Sequence, residues 1–79
     1  MKFEDLFTPL PGVFSVDGEN LKQARRNRGL TMVQLAKLAG VSQPFQSMIE
    51  NGQRSVSSKN AKKIYKVLSD TPKLKGLDL

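Results

Sequence analysis

The chain has 79 residues, thirteen Lys and Arg against seven Asp and Glu for a net charge of +6, and neither Cys nor His. That composition leaves no disulfide, no thiolate metal site and none of the Ser-His or Cys-His dyads of nucleophilic catalysis, so it weighs against an enzyme and against a disulfide-built scaffold. No apolar run approaches the ~18 residues of a membrane span, and no basic-then-apolar leader opens the chain. The expectation is one small cytoplasmic domain, without a cofactor, a metal or catalysis.

Residues 1–16 are apolar for a tail and hold Phe3, Phe7 and Phe14. Phe3, Leu6, Phe7 and Leu10 follow helical spacing, but Pro9 stops any helix near Thr8. Pro11-Gly12 reads as a turn and Val13–Val16 as a short strand or extended arm. So few residues cannot bury these side chains alone, so the arm must cover the body of the domain or a partner chain.

From Asp17 the signals are helical. Asp17 N-caps a first helix to about Arg28, with Gly29 as its left-handed stop. Thr31 opens a second, and Thr31 with Gln34 fits a capping box. Gly40 ends it, and Ser42 caps a third helix with Pro44 in its first turn and Asn51-Gly52 at its end. Ser57 caps a fourth, carrying Ile64, Val67 and Leu68 on its apolar side, and Thr71-Pro72 opens a short final turn or a tail. Such short helices are stable only against one another. The expected fold is all-α, four to five helices over residues 17–70, with an arm at 1–16 and a tail at 71–79. The expected core is Leu21, Leu30, Leu35, Ala36, Ala39, Val41, Ile49, Ile64 and Leu68.

Charge is segregated along the chain. Residues 1–20 carry a net −3, whereas residues 21–66 hold ten Lys and Arg against Glu50 alone, a net +9 that suits a polyanion such as nucleic acid. The spacing around Gly40 says how. Two short helices joined by Ala39-Gly40-Val41-Ser42 form a helix-turn-helix, in which small Ala36 lets the helices approach and Val41 fills the corner. The helix starts at Thr31 and Ser42 aim amides at a phosphate backbone, leaving the second helix to enter a major groove.

The run from Leu21 through Arg25, Gly29-Leu30-Thr31, Leu35-Ala36, Gly40-Val41-Ser42-Gln43 and Ile49-Glu50-Asn51-Gly52, and on through Ala61 and Ile64 to Leu68, resembles the Cro/phage-repressor-like (XRE-type) helix-turn-helix family of bacterial and phage regulators. The resemblance implies a lambda-repressor-like fold, sequence-specific binding of double-stranded DNA as a homodimer on an inverted repeat, and repression in a phage or other mobile element. It implies base-facing positions at Gln43, Pro44, Ser47 and Met48. It implies backbone contacts from Thr31, Met32, Ser42, Phe45, Asn51, Gln53 and Arg54, and an ion pair between Arg25 and Glu50. Two residues depart from the family pattern: Gln46 stands where relatives carry an aliphatic side chain, and Met32 where many carry a glutamine that holds a phosphate.

The residues themselves agree on the reading face. Stepping about 100° per residue puts Gln43, Pro44 and Ser47 on one side of the helix and Phe45 and Ile49 on the other, with Met48 and Gln46 between. Gln43 has the amide pair that an adenine edge takes, and Pro44 and Met48 suit thymine methyls. Lys59, just past the Asn51–Arg54 loop, is a further phosphate candidate. Arg25 shares a face with Leu21 and points inward. A rival reading is a protein-interaction module, an antitoxin or anti-repressor, that docks a partner on Phe3, Leu6, Phe7 and Phe14.

Overall fold

The computed structural model describes residues 1–74. The N-terminal segment is not a plain arm. It forms a single helical turn, α1 (Phe3–Leu6), followed by an antiparallel hairpin of β1 (Phe7–Leu10) and β2 (Val13–Val16). The helix stops three residues before Pro9 because Phe7 is already extended, at φ −133° and ψ 130°, and because a residue preceding proline is pushed out of the helical region. Pro11 and left-handed Gly12, at φ 78°, close the turn. Pro9 has no N–H for a ladder, and it pairs with Phe14, whose own N–H and C=O turn away to Val56 at 2.8 and 2.9 Å. The proline therefore costs the sheet nothing. The fold is thus mostly helical rather than all-α, and the expectation for residues 1–16 is corrected accordingly.

Four longer helices follow, each opened by a side chain that accepts one of the amides a helix start leaves free. Asp17 accepts the Asn20 N–H ahead of α2 (Gly18–Arg26). Thr31 and Gln34 form a reciprocal capping box ahead of α3 (Met32–Ala39). Ser42 accepts the Phe45 N–H ahead of α4 (Gln43–Glu50), and Ser57 the Asn60 N–H ahead of α5 (Ser58–Asp70). Gly29 and Gly40 take the left-handed conformation that ends the preceding segment. Of the expected tail, residues 71–74 continue without a helix and Leu74 donates its N–H to the Asn27 carbonyl; Leu77 and Leu79 lie outside the described residues.

Leu21, Leu35, Ala36, Ala39, Ile49, Ile64 and Leu68 are buried, while Leu30 and Val41 pack on the core from its edge. The core also holds Leu6, Phe7, Ala24, Val56 and Ala61. Leu6 and Phe7 are 1% and 0% exposed, and Phe3 and Phe14 pack beside them with Phe3–Phe14 and Phe3–Tyr65 rings edge-to-face at 5.4 Å. The four side chains expected as a docking surface therefore pack into or against the chain's own core, as a domain with so little interior favours.

Truncating Phe7 should unfold more than the hairpin. Phe7→Ala is expected to lower global stability by about 3–5 kcal/mol, read from urea or thermal unfolding. A value near zero would mean that the hairpin lies on the domain without completing it.

Candidate nucleic-acid interface

The corner between α3 and α4 sets the reading helix. Gly40 ends α3 at φ 74°, and the Val41 N–H returns to the Ala36 carbonyl at 2.9 Å. With Ala36 buried and small, α4 crosses close to α3. Around α4 the polarity divides by face. Gln43 and Pro44 are exposed, Ser47 and Met48 are half-buried on the rim, Phe45 packs on the core edge, and Gln46, Ile49 and Glu50 are buried. The exposed start of α4 thus presents an amide and a proline ring on a helix whose other side is anchored.

The flanking groups supply donors. Of the first amides of α3, Thr31 N–H is held by Gln34 and Gln34 N–H by Thr31. The amides of Met32 and Val33 remain without a partner among the described residues. Met32 is half-buried, and a thioether has no donor, so what this position can offer an anion is its main-chain amide. At α4 the Ser42 hydroxyl accepts the Phe45 N–H at 3.2 Å and keeps its own proton to donate. Beyond α4, Asn51, Gln53 and Arg54 are exposed, and the Arg54 guanidinium lies over the Phe45 ring at 5.2 Å. Lys59 is exposed in the first turn of α5, where a cation opposes the helix dipole unless an anion faces it.

Other cations serve the fold. Arg28 donates to the carbonyls of Leu68 at 2.6 Å and Ala24 at 2.8 Å, joining the ends of α5 and α2. Lys66 pairs with Asp70 at 3.1 Å on an exposed face. Arg28 is thereby committed to the fold, whereas the exposed Lys66 pair only offsets one cation locally.

Beneath the reading helix lies a buried polar network. Arg25 Nε and Nη2 each donate to a different Glu50 oxygen at 2.9 Å, a bidentate fork, and Nη1 donates to the Leu30 carbonyl at 2.8 Å. Gln46 is fully buried and gives Nε2 to Glu50 Oε2 at 2.7 Å, so the polar side chain at a usually aliphatic position finds its partner one turn along α4. Its Oε1 is buried without a partner among the described residues.

Two features of this scaffold carry no signal in the sequence that the spacing rules detect. Gly18 meets the end of α4 so closely that a Cβ would collide with the Glu50 carbonyl. Val56, in the segment between α4 and α5, is buried and pairs with Phe14. A valine between two serines is the only hint of the latter.

Removing one side of the buried ion pair should be costly. Glu50→Ala is expected to lose about 3–5 kcal/mol of stability, because it strands the Arg25 guanidinium in the interior. Gln46→Leu, which deletes the orphaned oxygen together with one of three bonds to Glu50, is expected to change stability by less than about 1.5 kcal/mol. Chemical denaturation of both variants reads the contrast, and equal losses would contradict this division of roles.

No helix among the described residues is long and apolar enough to cross a membrane. No curated protein matches the chain. A family model described as helix-turn-helix matches residues 21–69, from the first buried leucine of α2 almost to the end of α5. The match covers more than half of the sequence, and the family comprises DNA-binding regulators rather than enzymes. The corner at Gly40 and the anchored α4 lie within the matched residues, and the chain belongs to the XRE/Cro-type helix-turn-helix family of DNA-binding regulators.

Proposed function

We propose that the protein is a sequence-specific repressor that binds double-stranded DNA as a homodimer on an inverted repeat. The observation that carries this reading is the division of α4, whose exposed face bears Gln43 and Pro44 while Gln46, Ile49 and Glu50 lock the opposite face into the core. A helix held on one side and open on the other can lie in a major groove without distorting its own domain. In this reading Gln43 bonds an adenine edge in bidentate fashion, Pro44 and Met48 pack on thymine methyls, and Ser47 meets a base at the rim. Thr31, Met32, Ser42, Phe45, Asn51, Gln53, Arg54 and Lys59 hold the phosphates on either side, the first three through helix-start amides and hydroxyls.

Dimerisation follows from the length of the reader. Eight residues of α4 span about 12 Å and cover only a few base pairs. Two copies about 34 Å apart on one face of the duplex would supply the missing specificity. Leu10 and Val13 at the hairpin tip, 48% and 36% exposed, are apolar side chains left for such a contact.

Selection of bound sites from random duplexes is expected to return an inverted repeat occupied by two chains. Light scattering that finds one chain per selected site would remove the dimer from the reading. The division between reading and holding is tested by two variants in one titration. Gln43→Ala should cost about 1–3 kcal/mol on the selected site and little on random DNA. Arg54→Ala should weaken all sequences alike and lower the salt slope by about one unit. A Gln43→Ala protein with an unchanged ratio of specific to random binding would disqualify Gln43 as the reader. If neither variant alters DNA binding, the interface serves a protein instead.

A further inference from the structure

The N-terminal hairpin lies outside the residues that the family model matches, yet it is bonded to the loop that leaves the reading helix. We propose that this hairpin is a working part of the DNA interface: by pairing Phe14 with Val56 it holds the loop of Asn51–Val56, and Arg54 within it, in position to meet a phosphate. Phe14 and Val56 are positioning residues, acting on DNA through Arg54. The inference rests on the DNA-binding reading above.

The loop is fixed at both ends and free between them. At its start, Gly52 N–H bonds the Ile49 carbonyl at 3.2 Å and Gln53 N–H the Met48 carbonyl at 2.9 Å, so these residues follow α4. At its end, Val56 exchanges both backbone bonds with Phe14 and is buried at 2% exposure. Arg54 and Ser55, between these anchors, make no backbone bond to another described residue. The Arg54 side chain is placed by the Phe45 ring at 5.2 Å, a contact that cannot by itself order the main chain beneath it. Releasing the Val56 end would let Arg54 sample many positions, and DNA binding would then have to overcome that lost order.

The hairpin is rigid enough to act as the anchor. Phe7 is fully buried, the Asp17 N–H closes on the Leu6 carbonyl at 2.8 Å, and Phe14 stands edge-on to Phe3. The outer edge of β1 cannot recruit another strand, because Pro9 lacks a donor and the Phe7 N–H is taken by the Phe3 carbonyl. The sheet's remaining edge is therefore committed to Val56.

The register supplies a reversible test. Phe14 and Val56 form a hydrogen-bonded antiparallel pair, and continuing that register by one residue sets Ser15 opposite Ser55, a non-bonded position at which Cα atoms in a regular ladder lie about 4.5 Å apart, within disulfide reach. The chain has no cysteine, so the double variant Ser15→Cys/Ser55→Cys can form one bond only.

Duplex binding is measured at several salt concentrations on a selected site and on a random duplex. Phe14→Ala keeps the main-chain bonds to Val56 but removes the ring that seats β2 on Phe3, so the pairing loses its anchor. The variant is expected to weaken binding to both duplexes equally, keeping their ratio. Its salt slope should fall by up to one unit, so that its deficit against the unmodified protein narrows about threefold between about 50 and about 200 mM salt. A loss of folding alone would lower the active fraction at every salt without changing the slope. The oxidised cysteine pair should bind as tightly as the unmodified protein or more tightly, with the full slope, and introducing Phe14→Ala into it should no longer reduce the slope. Unchanged affinity and slope in Phe14→Ala, or loss of binding on oxidation that reduction restores, would overturn the inference. An unmodified protein that binds no duplex at all would instead overturn the DNA-binding reading.

Discussion

A carboxylate at the buried end of a helix is the constraint around which this domain is arranged. Glu50 closes α4, where the carbonyl end of the helix already repels negative charge, and it is 3% exposed. It can occupy that place only if a cation meets it, and Arg25 does so from α2 with both arms of its fork. The third arm of the same guanidinium holds the Leu30 carbonyl at the entry to α3. One planar group thereby relates three helices, and its directionality limits their angles in a way that apolar contact does not. Lysine could satisfy the charge but not the fork. Gln46 extends the network along α4 at the cost of one unmet acceptor.

The reading face follows from that arrangement. α4 is only eight residues long, so its stability comes from what holds its inner side, not from its own hydrogen bonds. The Gly18 backbone against the Glu50 carbonyl, the bonded carboxylate and buried Ile49 immobilise that side. Gln43 and Pro44 can then remain exposed without fraying the helix, because Ser42 caps it immediately before them. An exposed polar start outward and a buried polar network inward are two consequences of one anchored helix.

Net charge overstates how much of the surface is available to an anion. Arg25 and Arg28 are committed to Glu50 and to carbonyls at the ends of α2 and α5, and Lys66 pairs with Asp70. The Arg54 and Lys59 cations that remain beside the reading helix stand on the loop after α4 and on the first turn of α5. Those two segments are held by different means, and the hairpin at the N-terminus reaches one of them through Val56.

Much of the helical body was legible in the sequence because its signals are local. A cap and the amide it accepts lie three residues apart at Asp17, Thr31, Ser42 and Ser57, and the left-handed stops at Gly29 and Gly40 need only the absence of a Cβ. The outward face of α4 follows from the helical period alone. The N-terminal segment was legible only in part: the turn at Pro11-Gly12 and the strand after it are local, but the pairing of β1 with β2 and of Phe14 with Val56 joins residues that no spacing within one turn relates. The same holds for Gln46, whose place inside is decided by a carboxylate already bound to α2, and for Gly18, whose need for a bare Cα arises only when α4 lies against it. The sequence by itself determined where helices start, stop and turn, since those energies belong to residues within one helical turn of one another. Tertiary structure alone decided which polar groups are buried, which cations are free and what the arm covers, because those energies exist only once segments distant in sequence have excluded water between them.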